Sequence, residues 1–412
     1  MQNSNVVTLD SSVTGAFKVD TSKGGHDGRV SSQWFSRPAD QKFTSMNDLY
    51  DRVKMYADQS RAININVQDV QVRRGEDEND LRLVLPERLT RIEGNTRTVE
   101  VGEVDAAPNH WSFGQMCQLL QVPAGYLRKL PSSLAGINMQ YALKNFREEV
   151  VKAYVRQNGV TELRAATGVD YGRILDSEVV EAVRSIAGNG TGDTNWKIPG
   201  VLNWKDGTYN PYAEITKEST TLFASDRDVF LFLVDDTHPI EIGKLANGDP
   251  DLLFRGFYVW NSEVGSKSFG LAAFYLRGVC QNRNLWGVEG FQEMTLRHSK
   301  NAPNRFIAEA RPALADFANK RTDQLIAGVK AAKEAVVAKT DDERKTFLKR
   351  QNFTDTEVTK IIDTVMKEEG KPANSIWDFV QGITAVARGK EHQDARIDFE
   401  RRAGKLLDKV AA

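Results

Sequence analysis

Apolar and polar residues follow different rules in different parts of the chain, and the changes of rule mark its organisation. Residues 1–33 show little apolar periodicity and are rich in Ser, Gly, Asp and Asn, including Gly24-Gly25 and Gly28. Such a stretch can bury too little to hold a core, which predicts a flexible N-terminal arm. From Trp34 the pattern tightens. Ser45 and Asn47 offer caps for a helix carrying Leu49, Val53 and Met55. Residues 64–104 alternate, first through Ile65, Val67, Val70 and Val72, then through Leu81, Leu83 and Leu85. That period predicts short strands, broken at the acidic turn Glu76-Asp77-Glu78. Phe113, Met116, Leu119 and Leu120 then share a helical face, and Val122-Pro123-Ala124-Gly125 interrupts it. Tyr126, Leu127 and Leu130 resume the pattern before Pro131 closes it. Residues 34–135 therefore read as an α+β segment with a helix-turn-helix-like module, whose second helix is a candidate for a DNA groove.

Residues 136–302 read as a central α+β core. Glu162–Ala166 and Tyr171–Leu175 are predicted strands around the turn Thr167-Gly168-Val169-Asp170. Asp176 or Ser177 caps a helix over Glu178–Ile186, and a glycine-rich loop follows. Val229–Val234 is an unbroken apolar run, the pattern of a strand buried on both faces. Residues 252–287 give two aromatic-rich strands across the turn Gly265-Ser266-Lys267-Ser268, with helix the competing reading for Phe269–Val279. Beyond residue 303 the period is helical. Thr354-Asp355-Thr356-Glu357 is a capping box, Val358, Ile361, Ile362 and Val365 recur behind it, and Gly370 and Pro372 end that helix. The expected class is α+β: an antiparallel sheet core, a helix-turn-helix-like insertion and a helical C-terminal region over 303–412.

Bulk properties narrow the chemistry. At roughly 100–200 residues per domain, 412 residues make about two or three domains, or one large one with appendages. The formal net charge of −1 gives no chain-wide basic footprint, so any nucleic-acid surface must be local. Two distant cysteines, Cys117 and Cys280, fit a reducing compartment better than a disulfide framework. The five histidines are scattered without zinc-ligand spacing. No run of about eighteen apolar residues predicts a membrane span, and the N-terminus does not read as a secretory signal. A cytoplasmic protein is expected. Gly168-Val169-Asp170-Tyr171-Gly172 lacks the Lys-Ser or Lys-Thr of an NTP loop, and no catalytic motif, metal site or cofactor is expected.

The strongest candidate constellation surrounds the aromatic hairpin. Arg255, Tyr258, Trp260, Lys267, Arg277, Arg283, Trp286, Arg297 and Arg305, with His298 and Lys300 among them, fall within about fifty residues. Single-strand binders use this mixture, because cations track phosphates and aromatic faces stack on bases. Large aromatics more commonly serve as core residues, whereas a run of arginines is harder to bury. A second group is acidic: Asp226, Asp228, Asp235, Asp236 and Glu263. Asp226 and Asp228, on one strand face, could hold Mg²⁺ or Mn²⁺ with Glu263; turn chemistry and ion pairing, with Asp235-Asp236 ending a strand, is the plainer reading. Asn261-Ser262-Glu263 is expected to pair with Arg255, Arg277 or Arg283 in a buried polar network. Cys280, eighteen positions from His298, has no flanking motif of a nucleophile and reads as an inert buried thiol.

Several long segments resemble a known family. They are SQWFSRPADQKFTSMNDLY, FGQMCQLLQVPAGYLRKLP, LRAATGVDYGRILDSEVVEAV, ASDRDVFLFLVDD, RGFYVWNSEVGSKSFGLAAFYLRGVCQNRNLWG, RHSKNAP and IWDFVQGITAVARGKEHQDARIDFERRAGKLL. Together they sample the chain from residue 32 to 408, and the pairing of NSEVG with RGVCQNRNLWG is specific. The family is the phage- and plasmid-borne domain of unknown function 932. The resemblance implies cargo of mobile elements, near replication or recombination genes, in a bacterial cytoplasm; it hands over no catalytic residue. The resulting expectation is a non-catalytic, self-associating protein that binds single-stranded DNA or RNA, with strand annealing in recombination as its task. The alternatives are a metal-dependent nuclease or phosphoesterase using Asp226, Asp228 and Glu263, and a protein-interaction factor acting on host machinery.

Overall fold

Strand-forming residues collect into two sheets, and the helical period of the last hundred residues becomes a bundle against the larger one. The computed structural model describes residues 37–74, 80–93, 96–199, 214–244, 248–277, 283–284, 293–319, 323–390 and 393–411. The expected arm, the turn 76–78, Cys280 and Trp286 lie outside the described residues, and Arg283 is described in its backbone alone.

The first part of the chain runs β1 (Lys42–Phe43), α1 (Met46–Asp58), β2 (Ser60–Asn66), β3 (Gln71–Arg74), β4 (Leu81–Glu93) and β5 (Thr96–Pro108). It continues through α2 (His110–Leu119), α3 (Ala124–Leu127), α4 (Ser132–Asn145), β6 (Val150–Asn158), β7 (Val160–Gly168) and α5 (Asp176–Ala187). Next come β8 (Trp196–Lys197), β9 (Leu222–Ala224), β10 (Val229–Lys244), β11 (Pro250–Asn261), β12 (Phe269–Arg277), β13 (Arg283–Asn284) and β14 (Glu293–Leu296). The helical part holds α6 (Ala302–Arg305), which passes through a π-helical stretch into α7 (Arg311–Asn319), and then α8 (Asp323–Glu334) and α9 (Asp341–Arg350). It closes with α10 (Asp355–Glu369), α11 (Ile376–Arg388) and α12 (Gln393–Ala411).

Among the described residues the smaller sheet has the order β2-β6-β7-β5-β4-β3, antiparallel except where Ala107 and Pro108 of β5 run parallel to β7. Helices α2 and α4 cover one face through Phe113, Met116, Cys117, Met139 and Leu143. The larger sheet has the order β1-β9-β10-β11-β12-β13, with β8 on β10 and β14 on β12. Its pleat sends alternate residues to two buried layers. Leu231, Leu233, Phe257 and Val259 pack with α1 and α5; Phe230, Phe232, Tyr258 and Phe274 form an aromatic layer on the other side. That double burial is why the expected run Val229–Val234 carries no polar residue. A Cβ at Gly270 would lie 1.9 Å from the Trp260 ring, so glycine there lets the indole settle across the neighbouring strand.

In the helical part, every residue from Ile376 to Ala387 is buried, and α11 is the centre of the bundle. The expected capping box holds α10: Thr354 Oγ1 accepts from Glu357 N and the Glu357 carboxylate accepts from Thr354 N at 3.0 Å. Ile240, Leu253 and Tyr275 of the larger sheet share the bundle's core with Val380, Ile383 and Leu407. The class is α+β with a helical C-terminal region, and no helix among the described residues is long and apolar enough to cross a membrane.

Four local expectations are corrected. The second helix of the helix-turn-helix-like module is the single turn α3, too short to lie along a groove. Its Arg128 instead donates to His110 O at 2.8 Å and sits over the Phe113 ring. Tyr171–Leu175 is extended loop rather than strand. Asp235-Asp236 does not end a strand: β10 continues to Lys244, and the register slips between Asp235 and Ile240. The expected boundary between residues 135 and 136 falls inside α4, and α1 packs in the larger sheet's core with Ile174 and Val179 rather than with the segment around it.

Candidate nucleic-acid interface

The connection from β11 to β12 carries the polar run Asn261-Ser262-Glu263, and it is where the two sheets meet. Val264 O accepts from Trp111 Nε1 at 3.0 Å and from Gln115 Nε2 at 2.9 Å, both on α2; Gln115 Oε1 in turn accepts from Ala166 N of β7. Glu263, 1% exposed, pairs with Arg164 of β7, which is wholly buried. Its second oxygen accepts from Asp176 N at 3.2 Å, and Arg173 donates to its carbonyl. Asn261 Nδ2 donates to Ile174 O and, at 2.7 Å, to the Asp176 carboxyl. Burial first, and the charge of Glu263 second, push the Asp176 pKa well above the usual carboxylate range. Rings complete the enclosure: Arg173 lies 3.9 Å from the Tyr154 centroid, and Arg164 lies 5.2 Å from it. The buried network expected around Asn261-Ser262-Glu263 exists, but its described arginines are Arg164 and Arg173, not Arg255 or Arg277.

Arg255 and Arg277 are engaged elsewhere. Arg255 faces Asp235 directly across β10 and β11 and donates to it at 3.0 Å. Arg277, 4% exposed, makes a two-pronged pair with Asp251 at 2.7 and 3.1 Å and reaches Glu369 of α10 at 2.7 Å, tying the larger sheet to the helical bundle. Tyr258 is fully buried in the aromatic layer, and half-buried Trp260 stacks on it with centroids 5.6 Å apart. Arg305 is exposed but paired with Glu309, one helical turn on. Side-chain placement therefore removes Tyr258 and Arg277 from the surface and leaves Arg255 half-buried against Asp235. Arg283 and Trp286 lie outside the residues whose side chains are described.

The acidic group also separates. Asp226 and Asp228 sit in the turn between β9 and β10, not on a strand face. Asp228 accepts from Arg37 Nη2 at 2.9 Å and from Ser225 Oγ, and Arg37 Nη1 lies 2.8 Å from its other oxygen as an ion pair. Burial opposes its ionisation, yet the charges of Arg37 and Lys267 and the hydrogen bonds from Arg37 and Ser225 together outweigh it and hold its pKa below the usual range. Asp226 has no such clasp, and burial pushes its pKa up to about 6. Asp235 accepts from Thr237, His238 and Arg255, and Asp236 pairs with Lys197. No group of three or more potential metal ligands converges among the described residues.

Three of the cations do share an open surface. A cleft of about 1160 Å³ opens beside the seam, bounded by the end of β7, the β11–β12 turn and the segment after β14. Lys267, Arg297 and Lys300 line it, together with Val150, Val169 and the carboxylates Glu149 and Asp170. Arg297 is exposed, and the Lys300 side chain is 81% exposed, 4.0 Å from Asp170. The wall is built by close backbone approach. Gly172 N donates to His298 O, the His298 Nδ1 lies 3.1 Å from Gly172 O, and a Cβ at Gly172 would lie 1.9 Å from Ser299 O. The His298 ring stacks on Tyr171 at 4.9 Å, and burial lowers its pKa, favouring the neutral ring. Tyr171 OH donates to Ser262 O, so the cleft wall and the sealed seam share the same backbone.

Arg164, Arg173 and Asp176 escaped the sequence reading. Arg164 carried the only available signal, a cation inside the apolar strand LRAA; its partner, ninety-nine residues away, left no local trace.

The fold and the seam define an α+β protein of two sheets locked by an internal ionic network, with a small cationic cleft beside it. Residues 213–393 match the family model described as Domain of unknown function (DUF932). The match takes in the larger sheet from β9 onward, the cleft residues Lys267, Arg297 and Lys300, and the bundle through α11. No curated protein and no solved structure matches the chain.

Proposed function

We propose that the protein binds single-stranded nucleic acid, without catalysing a reaction on it, through the cleft lined by Lys267, Arg297 and Lys300. One observation carries this reading: cations from two separate segments, Lys267 and then Arg297 and Lys300, line one open concavity together with Val150, Val169 and the ring of Tyr171, and they outnumber its carboxylates Glu149 and Asp170. Such a groove can take a phosphate backbone on one side and unstacked bases on the other. The contact set is smaller than the hairpin composition suggests, since Arg255, Arg277 and Tyr258 have structural duties. The setting we infer is the cytoplasm of a bacterial host, with the protein carried by a phage or other mobile element and strand annealing as the task.

A nuclease built on Asp226, Asp228 and Glu263 is disfavoured by geometry. Arg37 and Arg164 already neutralise Asp228 and Glu263, which leaves no set of open carboxylates for a divalent ion among the described residues.

The test is fluorescence anisotropy with labelled single-stranded DNA and RNA oligonucleotides across a salt series. Three phosphate contacts give a slope of log affinity on log salt near −2, at about −0.7 per contact. The triple variant K267E/R297E/K300E should abolish binding while leaving the circular-dichroism spectrum unchanged. Affinity that ignores salt, or survives the triple reversal, removes the cleft from the reading; no affinity for either strand favours the protein-interaction alternative, to be pursued by pull-down from a bacterial lysate.

A further inference from the structure

Asn261 is wholly buried at the inner end of the segment that walls the cleft. Both hydrogens of its amide are committed: Nδ2 donates to Ile174 O at 2.9 Å and to Asp176 Oδ1 at 2.7 Å. The Ile174 carbonyl fixes which end of the amide is nitrogen, because an oxygen turned there would face another acceptor. Asn261 Oδ1 is buried and meets no donor among the described residues. Folds rarely keep a buried acceptor in that condition. Asp176, 4% exposed, is the neighbour able to supply a proton, and as a carboxylate it would be poorly served. Arg164 directs its donors to Glu263, Ser60 Oγ and Asp226 O, and Arg173 donates to Glu263 O; among the described residues neither guanidinium donates to Asp176. Asp176 also opens α5, whose N-terminal dipole would favour an anion, but Glu263 already fills that place by accepting from Asp176 N. The charges facing Asp176 from other elements are Glu263 of the β11–β12 connection, Arg164 of β7 and Asp228 of the turn before β10. Tyr171 and Arg173 precede it on its own segment, and Glu178 of its own helix is exposed. Desolvation first, and repulsion from Glu263 second, favour the protonated acid.

We infer that Asp176 is a proton latch: it stays a neutral acid at neutral pH, donates its O–H to Asn261 Oδ1, and so closes a two-bond acid–amide pair that anchors the cleft wall. Each partner then gives one hydrogen bond and takes one, and no polar atom of the amide is left over. The anchored segment is short. It carries Ile174 O, held by the same amide, and Gly172, which exchanges hydrogen bonds with His298 at the cleft. Loss of the proton removes the bond to Oδ1 and sets a second buried negative charge beside Glu263, so the wall loosens as pH rises through the folded pKa. The latch is a property of the fold and does not depend on what the cleft binds.

Denaturant unfolding of the full chain, wild type against Asp176→Asn, tests the inference between about pH 5 and about pH 8. An amide at this position keeps both bonds and has no proton to lose. The unfolded chain releases the Asp176 proton near the ordinary value of 3.8 and the folded chain well above it, so wild-type stability falls as pH rises between the two. Asp176→Asn should therefore gain on wild type, by up to about tenfold in the folding constant per pH unit, until the wild type ionises. Asp226 is common to both chains and cancels. Asp176→Ala, which leaves Asn261 without a partner, should be less stable than Asp176→Asn at every pH. In the wild type alone, aspartate labelled with carbon-13 at its carboxyl should show the infrared C=O stretch of a protonated acid at about pH 7.5, where Asp226 is ionised. Amide exchange over residues 171–176 should also quicken with pH more steeply in wild type than in Asp176→Asn. An Asp176→Asn chain that loses ground to wild type as pH rises would overturn the latch, because that is the behaviour of an ionised partner of the seam arginines. So would an infrared spectrum without the acid band, a result that holds whether or not the variants fold.

Discussion

Glu263 and Lys267 stand four residues apart on one connection, yet they belong to opposite electrostatic regimes. At Glu263 the chain closes over its charges: Arg164 and Glu263 are almost without exposure, and every neighbour is protein. At Lys267 the same connection reaches the cleft: Lys267 is half-buried and its charge also acts on the buried Asp228, while Arg297 and Lys300 beyond it are exposed. Residue type is shared between the two places, so the difference lies in enclosure. An enclosed charge must be matched by the fold itself and is costly to disturb, whereas an open one contributes little to folding and remains available to a ligand. The comparison also accounts for the division among the hairpin cations, since Arg255 and Arg277 share the regime of Glu263 while Arg297 and Lys300 share that of the cleft.

The sharpest way to break this contrast is to open the seam. Arg164→Ala leaves Glu263 buried without its partner, and removing one member of a buried pair costs about 3–5 kcal/mol. Urea denaturation should show that loss; a cost below about 1 kcal/mol, the value of an exposed pair, would mean that the seam is not closed. Arg277→Ala should follow with about 2–4 kcal/mol. It strands Asp251 and Glu369, although Lys333 still reaches Asp251 at 3.3 Å and softens the loss. Because Arg277 bridges the sheet and the bundle, this variant should also make the helical bundle exchange amide hydrogens earlier than the sheet. Uniform exchange across both would deny the bridge.

The same enclosure explains what could be read from the sequence and what could not. Val229–Val234, the strands on either side of Gly265-Ser266-Lys267-Ser268 and the Thr354 capping box declare themselves through local period and local chemistry, and they form as read. Asp235 with Arg255 was within reach as well, since a hairpin register would have set them opposite each other. Arg164 with Glu263 was not, because their meeting depends on how two sheets dock, which no periodicity encodes. Tyr171–Leu175 has strand composition but loop conformation: its backbone bonds go to other segments, as where Gly172 exchanges hydrogen bonds with His298. In α3, one helical turn was legible and its short length was not, because Pro131 permits α4 to start at once.

A subtler probe lies at the margin of the seam, in Asp226. Its folded pKa of about 6 lies above the ordinary aspartate value of 3.8. A raised carboxyl pKa means that the folded protein holds a proton more tightly than the unfolded chain does, so stability falls as pH rises between those values and is level beyond them. Asp226→Asn removes the penalty. It should stabilise the fold by about 1–2 kcal/mol at pH 7, allowing for partial exposure, and by nothing near pH 4. Asp228 runs the other way, its pKa depressed with Arg37 at its side, and Asp228→Asn should destabilise at neutral pH with a cost that shrinks as acid protonates the wild-type carboxylate. An Asp226→Asn effect identical at both pH values would show that Asp226 is solvated and belongs with the cleft instead.

The smallest expected effect on folding completes the contrast. Lys300→Ala removes an exposed cation 4.0 Å from an equally exposed Asp170, and exposed substitutions of this kind stay within about 0.5 kcal/mol. If the cleft holds a phosphate backbone, the same substitution should nonetheless reduce the salt slope of oligonucleotide binding by about 0.7, one contact's worth. Stability and binding would then respond to Lys300 and Arg164 in opposite proportion: Arg164→Ala large on folding, Lys300→Ala near zero on folding and clear on binding. A Lys300→Ala chain that lost stability on the scale of the seam variants would mean that its charge is enclosed after all, and the division between sealed and open cations would have to be redrawn around the cleft.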